Sequence, residues 1–226
     1  MPQKPLYHAV ILDFDGTVCA TGEGIIYSVK QVLHTMGYPI PSPAVLQKFI
    51  GPPPVYSYMT FCGMPKAEAE KALLLFRKIY NEEGWHRTKA YPNMDDLLKD
   101  LDSCGVKICT ASSKPIRQIE RLLQKFHLRQ YFCGIEGVDE TNETKRGADK
   151  PSLIRDAMAC CEVTDPQEAV MIGDTHFDVE GAKEVGISFI GAAYGYGGTK
   201  ELLKAGASVL ADSVKALYPL LFSENI

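Results

Sequence analysis

Long apolar segments, basic blocks and a zinc ligand pattern are all missing from this 226-residue sequence. No run approaches the roughly 18 apolar residues of a membrane span, and the opening MPQKPLYHAVILDFDG lacks the long apolar core of a secretory signal. The net charge is −4 and no cluster of Lys and Arg stands out, which argues against a broad nucleic-acid surface. These absences predict a soluble, cytoplasmic protein that has neither a membrane nor a nucleic-acid polymer as its partner.

Cysteine and histidine are present without a recognisable arrangement. The seven cysteines lie at positions 19, 62, 104, 109, 133, 160 and 161, and no CxxC pair occurs. An odd number in a chain of this size predicts reduced thiols rather than a disulfide framework. The five histidines are scattered, so neither residue type supplies a zinc ligand set.

Short apolar runs alternate with helical patterns along most of the chain. The runs are residues 8–12, 106–110, 169–173, 187–191 and 207–211. Apolar residues recur at helical spacing over 116–126, 153–161 and 179–185. The alternation predicts an α/β fold with a doubly wound, Rossmann-like parallel sheet covered by helices on both faces.

The alternation is interrupted between the first and second runs. Residues 22–90 show helical periodicity without a convincing strand, and the proline-rich segments GYPIPSPAV and IGPPPVYSY break it. We therefore predict an α/β core made of residues 1–18 and 89–226. An all-helical domain at 19–88 is inserted after the first strand.

The first apolar run ends in two carboxylates, in the sequence DFDGT. At a strand end, Asp13 and Asp15 point to the same face, about 6–7 Å apart. Ligands bind at the carboxyl ends of strands in open α/β sheets, and adjacent carboxylates need a cation or a shared proton. A turn explains Asp15 and Gly16 but leaves Asp13 unexplained. A divalent metal explains both acids.

Three further segments place polar groups beside a predicted strand or helix. In VMIGDTHFDVEGAK, Asp174 follows a predicted strand and Asp178 lies at the start of a predicted helix. These acids could bind a metal or could cap the helix. In ICTASSKP, Ser112 and Ser113 precede a helix, as an anion site or as an ordinary cap. Lys150 in GADKPSL also precedes a helix, although a lone lysine usually lies at the surface.

These motifs, in this order, resemble the haloacid dehalogenase-like hydrolase superfamily over nearly the whole chain. The helical insert stands where the helical cap of that family stands when it lies between the first two motifs. The segments YP at 91–92, ASSKP and AAYGYGG look like the phosphoglycolate phosphatase-like branch. The resemblance implies a Mg²⁺-dependent phosphatase that hydrolyses a small phosphorylated metabolite through an aspartyl-phosphate intermediate. Such a substrate is a phosphoglycolate-like compound, a nucleotide or a sugar phosphate.

The resemblance also implies roles for particular residues. The catalytic residues are Asp13 as nucleophile, Asp15 as acid and base, and Ser112 and Lys150 as groups that stabilise the phosphoryl charge. The Mg²⁺ ligands are Asp13, the backbone carbonyl of Asp15, Asp174 and Asp178. The phosphate-binding residues are Gly16, Ser112, Ser113 and Lys150. In the cap, Gly51 is expected to contact the substrate.

Other functions share this scaffold or this chemistry. A phosphosugar mutase, an inorganic pyrophosphatase and a 5′-nucleotidase differ from the leading hypothesis only in substrate or in the fate of the phosphoryl group. A receiver domain of a signalling protein also surrounds a phosphorylated Asp with acids, a hydroxyl and a Lys. Receivers lack a long helical insert after the first strand, which makes this alternative remote. The chain is compatible with a monomer or a dimer.

Overall fold

The structure is a computed structural model that describes residues 4–139 and 149–223. Its strands are β1 (Ala9–Leu12), β2 (Cys19–Ala20), β3 (Lys89–Ala90), β4 (Lys107–Pro115), β5 (Gly134–Val138), β6 (Ala169–Gly173), β7 (Ser188–Ala192) and β8 (Leu210–Ala211). Its helices are α1 (Gly22–Thr35), α2 (Pro43–Gln47), α3 (Pro54–Cys62), α4 (Lys66–Glu82), α5 (Met94–Ser103), α6 (Ile116–Lys125), α7 (Lys150–Cys160), α8 (His176–Val185), α9 (Gly198–Ala205) and α10 (Tyr218–Leu221). Short 3₁₀ helices cover Gly84–Arg87, Arg129–Tyr131, Pro166–Glu168 and Lys215–Leu217.

Six strands form one parallel sheet in the order β5-β4-β1-β6-β7-β8. In the centre, Ala9 of β1 lies opposite Lys107 of β4 and Ala169 of β6. The chain builds one side of the sheet after β1 and then returns to build the other, so the strand order reverses at β1. Ligands bind at such a reversal, outside the carboxyl ends of the strands. The predicted α/β fold with a parallel sheet is confirmed.

The apolar runs identify the inner strands well and the edge strands poorly. All four residues of β1 are buried, as expected of a parallel strand covered on both faces. The fifth predicted run, 207–211, yields only the two residues of β8. Strand β5 was missed because its sequence, GIEGV, contains two glycines and a glutamate and lies at the sheet edge. β4 is longer than predicted and continues to Pro115.

The chain divides into two compact units. One comprises Met1–Cys19 and Ala90–Ile226 and contains the six-stranded sheet; the other comprises Ala20–Lys89 and contains α1 to α4. Within the helical unit, buried apolar side chains of α1 and α4 form the core between these helices; they are Ile25, Val29, Val32 and Leu33 of α1 and Ala69, Ala72, Phe76 and Tyr80 of α4. Among the described residues, no helix combines the length and apolar character that a membrane crossing requires.

Candidate active site

Acidic side chains converge at the carboxyl ends of two adjacent strands, β1 and β6. Asp13 directly follows β1, Asp174 directly follows β6, and Asp178 lies in the first turn of α8. One carboxylate oxygen of each lies within 4.8 Å of those of the other two. All three side chains are buried. The structure therefore brings together three of the four acids that the resemblance implies as metal ligands.

Lys150, a predicted catalytic residue, is buried in the same site. Its Nζ donates to Asp13 Oδ1 and to the Ala111 carbonyl, each at 2.9 Å. It also forms an ion pair with Asp178, at 2.8 Å from Oδ1. Gly181 of α8 makes room for this side chain, because a Cβ there would lie 2.7 Å from Lys150 Cγ.

The two carboxylate oxygens of Asp178 have different partners, one in the first turn of α8 and one in the acid cluster. Its Oδ2 accepts hydrogen bonds from the backbone N–H and the hydroxyl of Thr175, at 3.0 and 2.9 Å, which completes a capping box for α8. Its Oδ1 faces Lys150. Capping and site membership were alternatives in the sequence, and the geometry is compatible with both at once.

Asp174 is fully buried and has close backbone neighbours. Its Oδ2 accepts a hydrogen bond from the Tyr196 N–H at 2.7 Å, whereas no hydrogen-bond partner for Oδ1 is found in the described chain. Gly16 lies against it with φ of +93°, and a Cβ at Gly16 would lie 2.2 Å from Asp174 Oδ2. The glycine of DFDGT is thus required both by its left-handed backbone and by this close approach.

Gly16 is also a predicted phosphate-binding residue, which this conformation does not favour. Its N–H donates to the Cys19 carbonyl at 2.9 Å and is therefore already used within the turn that follows β1. The assignment stays a prediction. In the segment AAYGYGG, Tyr196 supplies the N–H that binds Asp174.

Asp15 is paired with a lysine that the sequence motifs did not single out. Lys114 Nζ lies 3.0 Å from Asp15 Oδ1 and 3.2 Å from Oδ2, and the lysine is buried. Lys114 belongs to the segment ASSKP, two positions after Ser112. Because side chains at i and i+2 of a strand share a face, this spacing was the signal that could have placed Lys114 in the site.

The hydroxyl groups of β4 have different surroundings. Ser112 is buried, and its Oγ accepts a hydrogen bond from the Lys114 N–H at 3.3 Å. Thr110 donates from its hydroxyl to the Glu136 carbonyl of β5 at 3.0 Å and is committed to the sheet. Ser113 is exposed. Gly51 lies in the helical unit between α2 and α3, with φ of +100°, and its role stays a prediction.

Burial and mutual repulsion dominate the electrostatics of the acids. Burial raises the pKa of Asp13 to about 6, with Lys150 acting against the rise and Asp178 adding to it. Burial likewise raises the pKa of Asp174 well above its usual range, and Asp13 and Asp178 reinforce this. Burial alone lowers the pKa of Lys150, but the attraction of Asp13 and Asp178 outweighs it and the net shift is upward.

The charge balance and the donor atoms fit a divalent cation. Three carboxylates face the single ammonium of Lys150, while Asp15 and Lys114 neutralise each other. With all groups ionised, two negative charges remain uncompensated, and the unpartnered Oδ1 of Asp174 lies among them. Hard cations such as Mg²⁺ and Mn²⁺ prefer carboxylate oxygens. The buried acid cluster therefore fits a metal site.

Comparison with known proteins gives relatives with several enzyme names. The chain is 30% identical over 204 residues to the tyrosine-protein kinase PtkA of Mycobacterium tuberculosis, covering 90% of this chain and 68% of the relative. It is 31% identical over 196 residues to a 5′-nucleotidase of Pseudomonas aeruginosa, covering 87% of each. It is 29% identical over 222 residues to a phosphoglycolate phosphatase of Psychrobacter arcticus, covering 92% of this chain and 93% of that protein.

A solved structure has a similar fold, and a family model matches most of the chain. The crystal structure of a predicted phosphatase from Clostridium acetobutylicum superimposes with a TM-score of 0.85 at 33% identity, covering 94% of this chain and 96% of that one. Residues 10–192 match the family model described as haloacid dehalogenase-like hydrolase. This match begins in β1 and ends with β7, so it includes all the acids and lysines described above. The chain belongs to the haloacid dehalogenase-like hydrolase family.

Proposed function

We propose that the protein is a Mg²⁺-dependent phosphatase that hydrolyses a small phosphomonoester through an aspartyl-phosphate formed on Asp13. The observation that carries this proposal is the buried cluster of Asp13, Asp174 and Asp178, in which Lys150 Nζ lies 2.9 Å from Asp13 Oδ1. The cluster lies where the strand order reverses. Relatives named phosphoglycolate phosphatase and 5′-nucleotidase support a phosphomonoester as the substrate.

Asp13 is the proposed nucleophile. Because its pKa is about 6, the carboxylate is largely ionised at neutral pH and needs no separate base. Lys150 holds Oδ1, which orients the carboxylate for attack by its other oxygen. The attack forms a bond between this oxygen and phosphorus and breaks the bond between phosphorus and the leaving oxygen.

Asp15 is the proposed proton carrier. The protonated form of Asp15 gives its proton to the leaving oxygen, and the resulting carboxylate takes a proton from the water that hydrolyses the aspartyl-phosphate. Lys114 contacts both carboxylate oxygens of Asp15, at 3.0 and 3.2 Å. We therefore assign Lys114 a positioning role, since it limits the rotation of the group that must face the leaving oxygen.

The remaining residues are proposed to stabilise the negative charge of the phosphoryl group. When bound by Asp13, Asp174, Asp178 and the carbonyl of Asp15, Mg²⁺ supplies positive charge against the phosphoryl oxygens. The hydroxyl of Ser112, with that of Ser113, donates hydrogen bonds to those oxygens, and Lys150 adds a second cationic contact. We assign the choice of substrate to the helical domain at 19–88, which contains Gly51.

Phosphate release tests this proposal. The purified protein is expected to release inorganic phosphate from p-nitrophenyl phosphate with Mg²⁺ and to lose this activity in EDTA. Asp13→Asn is expected to lower kcat by about 10³-fold or more, because the nucleophile is removed. The matched control is Asp102→Asn, at an exposed aspartate of α5. Unchanged turnover by Asp13→Asn would contradict the proposal.

Two further measurements identify the intermediate and the substrate. Borohydride reduction during turnover, followed by peptide mass spectrometry, is expected to mark Asp13 as the phosphorylated residue. A panel of phosphoglycolate, nucleotides, sugar phosphates and pyrophosphate then ranks kcat/KM. Isomerised sugar phosphate without free phosphate indicates a mutase, and selective cleavage of pyrophosphate indicates a pyrophosphatase.

The similarity to a relative named tyrosine-protein kinase raises a second candidate, transfer of a phosphoryl group to a tyrosine hydroxyl. The same protein is incubated with γ-labelled ATP and a tyrosine-containing peptide, and phosphotyrosine is measured beside free phosphate. Phosphate release from monoesters without peptide labelling supports hydrolysis. Peptide labelling that is lost in Asp13→Asn, with no release of phosphate from monoesters, supports transfer instead.

A further inference from the structure

Four of the seven cysteines lie close together at the amino ends of the strands, on the side of the sheet opposite the acid cluster. Cys109 lies near the start of β4, Cys133 directly precedes β5, and Cys160 and Cys161 end α7. Cys109 pairs with Gly134, the first residue of β5, so the cluster lies at the amino ends of these strands. Asp13 lies beyond the carboxyl end of β1, hence the thiols are outside the catalytic site.

Two of these thiols are in contact. Cys133 Sγ lies 3.7 Å from Cys161 Sγ, and both thiols are free. Cys133 is exposed, whereas Cys161 is buried behind it. The Cys160 thiol packs against Gly134, where a Cβ would lie 2.1 Å from its Sγ, and it also interacts with Cys133. In the contact between Cys133 and Cys161, only the Cys133 thiol is exposed to solvent. A small reagent therefore reacts first with Cys133.

We propose that Cys133 and Cys161 are a redox-active pair, which a low-molecular-weight disulfide converts into an intramolecular disulfide. The Cys133 thiolate attacks one sulfur of the external disulfide, forming a mixed disulfide and releasing one thiol. The Cys161 thiolate then attacks the Cys133 sulfur and expels the second thiol. Two electrons pass from the protein thiols to the external disulfide, and the two protons leave with the released thiols.

The packing determines the rate and the geometry of this reaction. The hydrogen bond to Cys161 and burial raise the pKa of Cys133, against smaller opposing effects of Cys160 and Lys107. Thiolate is therefore scarce at neutral pH, and we expect oxidation over minutes to hours rather than seconds. A disulfide bond of about 2.05 Å requires the two sulfurs, which lie 3.7 Å apart, to approach by roughly 1.7 Å.

The crosslink would stabilise the fold without disturbing the acids. It joins the start of β5 to the end of α7 and so restrains the unfolded chain between them. Lys150 lies at the other end of α7, about 15 Å away along the helix. We expect the oxidised protein to melt roughly 5–10 °C higher than the reduced one, with little change in phosphatase activity.

Oxidised glutathione tests the pair in the intact protein. After incubation, alkylation and digestion, mass spectrometry is expected to find a peptide that links residue 133 to residue 161. Cys133→Ser and Cys161→Ser lose the linked peptide and the rise in melting temperature, whereas Cys104→Ser retains both. Cys133→Ser changes an exposed side chain, and its circular dichroism verifies folding. A stable glutathione adduct on Cys133, a link to Cys160 or an absence of reaction would overturn the proposal.

Discussion

The acid cluster should cost the metal-free protein stability, and Asp13→Asn measures that cost. Burial among other acids moves the pKa of Asp13 from 3.8 to about 6. A pKa difference of about two units means that the ionised carboxylate destabilises the folded protein by about 3 kcal/mol at pH 7.5. The asparagine removes the charge, while Lys150 keeps Asp178 and the Ala111 carbonyl as partners. The asparagine can still accept a hydrogen bond from Lys150, but one weaker than that of a carboxylate by about 1–2 kcal/mol, so a gain of about 1–2 kcal/mol remains.

The sign of this effect fixes its dependence on pH. The pKa of Asp13 is higher in the folded protein than in the unfolded chain, so the folded state binds the proton more tightly. The stabilisation from proton binding is complete below about pH 4 and is lost as the pH rises through about 6. The variant and the wild type should therefore melt alike near pH 4. Above pH 6 the variant should be more stable.

Thermal unfolding in EDTA across this pH range is the assay. For a chain of this length, the gain corresponds to a rise in Tm of about 2–8 °C at pH 7.5. Mg²⁺ should raise the Tm of the wild type more than that of the variant, because binding stabilises only the folded state. The reasoning is refuted if Asp13→Asn folds but is no more stable than the wild type and Asp102→Asn in EDTA at pH 7.5.

Three further substitutions separate the parts of the proposed mechanism. Lys114→Met should lower kcat about 10-fold or more with little change in KM, because the carboxylate of Asp15 loses the cation that positions it; an unchanged kcat contradicts this role. Gly16→Ala places a Cβ against a metal-site carboxylate and should raise the Mg²⁺ concentration for half-maximal activity at least about 10-fold. Gly37→Ala is its matched control, since Gly37 also has positive φ but a Cβ there meets nothing within 4 Å. Ser112→Ala should lower kcat/KM about 10²-fold in steady-state assays of phosphate release, and full activity would remove Ser112 from the phosphate site.

The central part of the fold follows from local sequence signals. β1 and β6 are short buried runs that end in an acid, and parallel pairing brings their carboxyl ends together without further information. The local signals identify both strands and their acids, while the joint metal site of Asp13 and Asp174 is what the family resemblance implies. β5 could not be found in this way, because its stability comes from pairing with β4 rather than from its own apolar residues.

The pairing of acids with lysines is less visible in the sequence. Lys114 and Lys150 are both buried, which is rare for lysine without a partner. Their partners, Asp15 and Asp13, are distant in the chain, and nothing local indicates which lysine meets which acid. The thiol contact between Cys133 and Cys161 is hidden for the same reason, since it depends on how α7 packs beside β5.

The carboxylate of Asp178 takes part both in capping α8 and in the acid cluster. One oxygen closes the first turn of α8 and the other meets Lys150, so the start of the helix and the charge of the site cannot vary independently. Fraying of that turn would withdraw an acid from the cluster. A bound cation, in turn, would hold the turn closed. Hydrogen exchange at the first amides of α8 should therefore report whether the site is occupied.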